Sequence, residues 1–110
     1  SRAAAWMLVE RGVKPVDGGL TWSTDPRLLL ASPVRNTEEQ VLAVLRGIRA
    51  PTGLILAEPE QPYMPRTVMD RRIAQVAGIE VVRLAGTHHL HMENAPPVAA
   101  ELLRFRAAII

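Results

Sequence analysis

The side chains best suited to proton transfer in this 110-residue chain are its three histidines, which lie together near the C-terminus. His88, His89 and His91 fall within residues 86–93, a segment called the histidine loop below. Histidine has the unperturbed pKa closest to neutral pH, so it is the usual proton shuttle and a common metal ligand. The loop follows an apolar, strand-like run over 79–84. Because open α/β sheets carry their sites at the carboxyl ends of parallel strands, this loop is the first candidate site.

A pair of acids follows a second strand-like run. Residues 51–57 are continuously apolar, as in a strand buried on both faces of a parallel sheet, and Glu58 and Glu60 come next. A carboxylate hydrogen-bonded to an imidazole fixes its tautomer and stabilises the imidazolium. The two loops together therefore predict the base and the orienting acid of a nucleophilic triad.

The nucleophile of such a triad is missing from the sequence. In an α/β sheet it would lie on a Gly-x-Ser-x-Gly turn between a strand and a helix, and no such pentapeptide is present. The serines, at positions 1, 23 and 32, lie in no turn of that kind.

Helices are expected around the two strands. Thr37 and Gln40 form a capping-box pattern that starts a helix over 38–48, because its apolar residues recur at helical spacing. A second helix is expected over 66–77, with Gly78 as its stop, and a last helix opens at 95–97. At the N-terminus, 2–11 read as a short amphipathic helix and 13–35 as a connector, with a brief extended piece over 20–23.

This order predicts a strand–helix–strand crossover with parallel strands at 51–57 and 80–84. Two parallel strands do not make a viable sheet alone, because their faces and edges need further strands. The sequence therefore predicts the tail of an open α/β sheet, divided into a connector region (1–36) and a helix–strand–helix–strand–helix region (37–110).

Composition excludes several classes. The chain has no cysteine, which excludes a disulfide, a thiol nucleophile and Cys-ligated zinc. The absence of cysteine also agrees with a cytoplasmic protein. The net charge is +2 and the arginines are scattered among nearly as many acids, so nucleic-acid binding is not expected. No apolar run is long enough to span a membrane. The Arg-rich, Lys-poor usage is typical of a GC-rich bacterial genome.

Several stretches together resemble the C-terminal part of an α/β-hydrolase, in the branch of capped serine-hydrolase-like esterases. The resemblance runs from about residue 19 to residue 105. The matching stretches are Asp25-Pro26-Arg27-Leu28, Thr37-Glu38-Glu39-Gln40-Val41-Leu42, Leu56-Ala57-Glu58-Pro59-Glu60 and Gly86-Thr87-His88-His89-Leu90-His91-Met92-Glu93.

The resemblance implies a fold and a set of roles. The fold is α/β, with two parallel strands and flanking helices from the end of the hydrolase sheet and the end of the cap at the N-terminus. His88 matches the family's general base, and Glu60 matches its triad acid, with Ala57 and Glu60 departing from the usual Gly and Asp. Glu58 is the alternative acid. The implied activity is hydrolysis of a small ester-like substrate by the full-length protein, without a cofactor, and the fragment alone is expected to be inactive.

Other functions stay open at this point. A zinc site from the three histidines has suitable ligands, but no helix fixes their spacing and no metal is expected. Esterase, thioesterase, lactonase, epoxide hydrolase and dehalogenase chemistry are not separated, because the nucleophile, Ser or Asp, is not visible. The alternative to an enzyme is a non-catalytic interaction or dimerisation module on the same half-sheet. The expected partners are the missing N-terminal part of the fold or a second copy bound through the open sheet edge.

Overall fold

The computed structural model describes residues 1–59 and 62–110. The chain divides into two compact units, Ser1–Arg35 and Asn36–Ile110. Along the sequence the elements are α1 (Arg2–Gly12), β1 (Val13–Val16), β2 (Gly19–Trp22), a 3-10 helix (Pro26–Leu29), α2 (Glu38–Arg46), β3 (Gly53–Glu58), α3 (Arg66–Ile73), β4 (Glu80–Ala85), α4 (Leu90–Glu93) and α5 (Ala95–Ile109). Among these helices none has the length and apolar content to cross a bilayer.

The first unit contains a β-hairpin that the sequence analysis missed. Strands β1 and β2 pair antiparallel, from Val13 opposite Trp22 to Val16 opposite Gly19. The two-residue connection places Gly18 at φ +79°, a conformation that glycine adopts without steric cost. Strand β2 agrees with the brief extended piece expected over 20–23, whereas β1 and the pairing of the two strands were not predicted. Pro15 was taken as a breaker, but proline is tolerated in an edge strand, and both strands of a hairpin are edges.

The second unit is built on a two-stranded parallel sheet. Strands β3 and β4 pair from Gly53 opposite Glu80 to Glu58 opposite Ala85. This confirms a mixed α/β structure with a small parallel sheet. Since Glu58 and Ala85 are the last residues of their strands and lie opposite each other, the segments that follow them leave the sheet side by side.

Helices α2 and α3 start where local signals predicted and end earlier. At the start of α2, the Thr37 amide donates to Gln40 Oε1 at 2.8 Å and the Gln40 amide donates to Thr37 Oγ1 at 3.3 Å, which confirms the capping box. Helix α2 ends at Arg46 rather than at 48, and α3 ends at Ile73 rather than at 77. After α3 the Gln75 and Val76 amides bond three residues back, so the chain tightens into turns.

Close packing joins the last helix to the sheet. A Cβ atom on Gly53 would lie 3.1–3.2 Å from ring atoms of Phe105, which is tighter than ordinary van der Waals contact. The absence of a side chain on Gly53 thus lets the aromatic ring of α5 rest on the first residue of β3. Leu42, Val76 and Leu90 are the buried apolar residues of the described part of this unit.

A charged pair links α2 to α3. The Arg72 guanidinium donates to both carboxylate oxygens of Glu38, from Nη2 at 2.7 Å and from Nε at 3.2 Å, the fork geometry that arginine prefers. These hydrogen bonds, together with the arginine charge, hold the pKa of Glu38 below its ordinary value of 4.5 despite partial desolvation. The pair therefore favours the folded state while Glu38 is ionised.

We expect Glu38→Gln to lower the urea unfolding midpoint of the chain at pH 7, because the neutral amide keeps only a weaker bond to Arg72. A carboxyl group with a lowered pKa in the folded state contributes stability above its unfolded pKa and loses it as the pH falls through the folded one. The difference between variant and parent should therefore shrink as the pH drops below 4.5. Glu39→Gln is the matched control. Glu39 lies in the same helical turn, but its carboxylate is largely exposed and its contact with Arg71 is longer, at 3.7 Å. An equal loss in both variants would contradict the assignment to the Glu38–Arg72 pair.

Candidate functional site

The segments after β3 and β4 meet through a tyrosine and a histidine. The hydroxyl oxygen of Tyr63 lies 2.7 Å from Nδ1 of His88. The two rings are edge to face, with centroids 5.8 Å apart and planes at 85°. The two residues are separated by 25 positions in the chain, so the parallel register of the sheet brings them together.

The other ring nitrogen of His88 is available for chemistry. Within residues 1–59 and 62–110, no side chain or backbone group forms a hydrogen bond with Nε2 of His88. A neutral imidazole can accept a proton from an incoming group at this open nitrogen when its own proton is on Nδ1. This is the geometry required of a general base.

Hydrogen bonds within the histidine loop fix the backbone around His88. Thr87 Oγ1 donates to Glu93 Oε2 at 2.7 Å and accepts a bond from the His89 amide at 3.2 Å. Thr87 thus ties the residue after His88 to the end of α4. The loop holds its shape through contacts on both sides of the candidate base.

Gly86 starts the loop in close contact with a buried leucine. A Cβ on Gly86 would lie 2.5 Å from Cδ1 of Leu90 and 3.3 Å from its Cβ. Leu90 is only 6% exposed, and its amide bonds the Thr87 carbonyl at 3.0 Å. The side chain of Leu90 therefore supports the loop from beneath, where any larger residue at 86 would collide with it.

His88 and Tyr63 border a cleft of about 380 Å³. This volume suits a small organic ligand. Most of the lining surface is apolar. Residues of β3, α3 and the start of α5 contribute to it. The lining residues are Ile55, Leu56, Ala57, Tyr63, Met64, Arg66, Met69, Asp70, Arg83, Thr87, His88, Leu90, His91 and Val98.

The predicted acids are not brought to His88 in the part of the chain that the structure describes. Glu60, the predicted triad acid, lies outside the described residues. The carboxylate of Glu58, the alternative, is 3.9 Å from Nε of Arg83, and within the described ranges it makes no hydrogen bond to His88. Arg83 also lies 3.5 Å from Asp70. The role of either glutamate as the orienting acid stays a prediction.

The two other histidines form a row of edge-to-face contacts that starts at the candidate base. The rings of His88 and His89 are 5.1 Å apart between centroids, and those of His89 and His91 are 6.4 Å apart. His91 lies within α4 rather than in irregular backbone as expected. Among the described residues, no group of three histidine, cysteine, aspartate or glutamate side chains is placed to hold a metal ion.

Tyr63 is the site residue that sequence reasoning missed. Two signals pointed to it: Tyr63 is the only tyrosine of the chain, and it lies in the polar segment that follows a buried strand. The carboxylates of that segment were the expected partners of His88 instead, because a carboxylate is the common partner of a catalytic imidazole.

The chain is similar in sequence to proteins named as serine hydrolases. It is 29% identical over 110 residues to a serine hydrolase-like protein of Danio rerio and 31% identical over 105 residues to a probable serine hydrolase of Drosophila melanogaster. These matches cover 96% and 90% of the chain but 34% and 32% of the relatives. The chain thus spans about a third of the length of the curated relatives it matches. Both are eukaryotic and do not support the bacterial origin that composition suggested. No family model matches the chain.

Solved structures show which fold the chain shares. A crystal structure of a hypothetical protein of Pseudomonas aeruginosa superposes with a TM-score of 0.85 and 38% identity, over 97% of this chain and 39% of that one. A thioesterase domain from the curacin biosynthetic pathway superposes with a TM-score of 0.72 and 24% identity, over 91% of this chain and 36% of that one. The chain therefore has the fold of part of an α/β-hydrolase.

Proposed function

We propose that this chain is the C-terminal part of an α/β-hydrolase that cleaves small carboxylic esters, with His88 as its general base. The observation that carries the proposal is the state of the His88 ring: Nδ1 is engaged at 2.7 Å by a neighbouring loop, while Nε2 is open at the edge of a mostly apolar cleft. The similarity to serine hydrolase-like proteins supports the same chemistry.

The reaction follows from the proposed role of His88. A hydroxyl nucleophile carried by an N-terminal portion of the protein attacks the ester carbonyl, and Nε2 of His88 takes its proton. The same proton then passes to the leaving alkoxide, which departs and leaves an acyl-enzyme. In the second half, His88 removes a proton from water, which attacks the acyl carbon. The proton then passes from His88 to the oxygen of the nucleophile, which departs as the acid is released. No step in this sequence requires a cofactor.

The orienting acid in this proposal is Glu60, with Glu58 as the alternative. Glu60 holds the position that matches the family pattern, and Glu58 ends β3 beside the start of the histidine loop. Because the Tyr63 hydroxyl engages Nδ1 of His88, the carboxylate acts in this proposal through its negative charge, which stabilises the cation that forms when Nε2 is protonated.

We expect the longer chain, with its N-terminal portion and nucleophile, to hydrolyse a short p-nitrophenyl ester, and residues 1–110 alone to be inactive. A general base contributes only when a positioned nucleophile is present. The measurement is release of p-nitrophenolate by both proteins at equal concentration, with a nucleophile-to-alanine variant of the longer chain as the control. Equal rates from the longer chain and this control would contradict the proposal.

A non-catalytic interaction module is the second candidate. The observation that favours it is the exposure of apolar side chains in the first unit, where Leu28, Leu29, Leu30 and Val34 are each at least 71% exposed. Apolar patches of this kind mark surfaces covered by another chain or another part of the same chain.

Under the hydrolase proposal, residues 1–110 alone associate or aggregate through the open edge of β3. A monodisperse, cooperatively unfolding monomer in sedimentation and urea experiments favours the module instead.

The proposed partners follow from the first candidate. They are the N-terminal portion of the same fold and a small ester or thioester substrate bound in the cleft beside His88. Neither nucleic acid nor a membrane is a proposed partner, and the proposed location is the cytoplasm.

A further inference from the structure

We propose that Tyr63 is a positioning residue for His88: its phenol oxygen accepts a hydrogen bond from Nδ1–H and thereby holds the imidazole in the tautomer whose Nε2 lone pair faces the cleft. This inference rests on the proposed role of His88 and adds a residue to which no role has been assigned. The juxtaposition that carries it is the 2.7 Å contact between the Tyr63 hydroxyl and Nδ1.

The direction of the hydrogen bond follows from what each atom can do. A neutral imidazole has one N–H donor and one acceptor nitrogen, whereas a phenol hydroxyl can both donate and accept. If Tyr63 donated to Nδ1, the ring proton would lie on Nε2 and His88 could not accept a proton there. If Tyr63 accepts from Nδ1–H, Nε2 keeps its lone pair. Only the second arrangement agrees with a base that acts through the open nitrogen.

The contact also fixes the ring plane. The edge-to-face packing at 85° and 5.8 Å places the tyrosine ring against one side of the imidazole, and His89 lies against it at 5.1 Å with planes at 67°. The backbone of the loop is held in addition by the Thr87 bonds to Glu93 and to the His89 amide. With loop and ring both restrained, Tyr63 selects the tautomer of an imidazole that is already oriented.

The expected size of the effect is modest. Tyr63 is 63% exposed, so water can replace part of the lost hydrogen bond in a variant. A neutral hydrogen bond contributes less than one to a charged group. We therefore expect Tyr63→Phe to lower kcat about 3- to 10-fold in the longer chain. KM should stay within about 2-fold, since the phenylalanine ring retains the apolar wall of the cleft.

The experiment measures the tautomer directly and separately from catalysis. The longer chain is labelled with ¹⁵N-histidine, and its imidazole nitrogens are observed by NMR at alkaline pH, where neutral imidazole predominates. His88→Gln identifies the resonances. In the parent protein we expect the proton of His88 on Nδ1, and in Tyr63→Phe a shift of the population towards the Nε2–H form together with the fall in kcat. Glu39→Gln is the control, because Glu39 lies on α2, is largely exposed and is not part of the cleft lining; it should change neither quantity.

Two results would overturn the inference. One is a parent protein whose neutral His88 carries its proton on Nε2. The other is a Tyr63→Phe variant with an unchanged tautomer, whatever happens to kcat. Failure of the proposed function is a different observation, since it appears as full activity in a protein without the His88 imidazole, while the NMR measurement of the Tyr63–His88 contact stands on its own.

Discussion

Replacing His88 by alanine is expected to lower kcat for ester hydrolysis by about 10²–10⁴-fold in the longer chain. The variant removes the imidazole whose Nδ1 is engaged by Tyr63 and whose Nε2 is open at the edge of the cleft. Without it, the nucleophile must lose its proton to water. KM should change little, because the other side chains of the cleft are unchanged in the variant. The measurement is steady-state hydrolysis of the p-nitrophenyl ester, with circular dichroism to verify folding.

His89→Ala is the matched control for this experiment. His89 is the adjacent histidine and also packs against the candidate base, with ring centroids 5.1 Å apart. A single base suffices for the reaction, so this variant should retain activity within about 10-fold, less than the loss expected of His88→Ala. Full activity in His88→Ala, or an equal loss in both variants, would remove His88 from the role of base.

The second large effect is on stability. Leu90→Ala should lower the free energy of unfolding by about 2–5 kcal/mol, the usual range for truncation of a buried leucine. Leu90 is 6% exposed and lies directly against Gly86, at the start of the histidine loop. The cavity left by the truncation lies beneath that loop. We therefore expect a lower kcat as well, since the loop loses the side chain that supports it.

Leu90→Met separates packing from chemistry. Methionine fills a similar volume, so the loss of stability should stay below about 1.5 kcal/mol. Urea unfolding of the parent and the two variants provides the comparison. A Leu90→Ala variant as stable as the parent would show that this side chain does not support the loop.

Sequence reasoning was most accurate where structure depends on near neighbours. The capping box at Thr37 and Gln40 is a three-residue signal. A continuous apolar run identified β3, since buried parallel strands need no polar alternation, and a run rich in valine and leucine identified β4. The early end of α3 was not predicted. Apolar spacing alone continued to Val76, whereas the backbone had already changed to three-residue turns.

Contacts between distant parts of the chain were harder to predict. The hairpin was missed because the prolines and glycines of this region were taken only as helix breakers, although Asp17-Gly18 is a typical two-residue hairpin turn. Tyr63 was missed because its partner lies 25 residues away and no spacing rule connects them. The histidine loop itself was found, since the strand before it and the residues within it are contiguous in sequence.

The contact between Tyr63 and His88 has a consequence for misfolding. Each partner is attached to a different strand, and neighbouring residues along a strand are about 3.3 Å apart. A slip of β3 by a single position against β4 would displace the segment that carries Tyr63 relative to the one that carries His88 by about one such step, which is enough to break a 2.7 Å hydrogen bond. Chains that pair their strands one step out of alignment would thus lose this hydrogen bond even with every helix intact. The NMR signal of the His88 imidazole therefore reports whether the two strands are correctly aligned. It can be followed during refolding without any substrate.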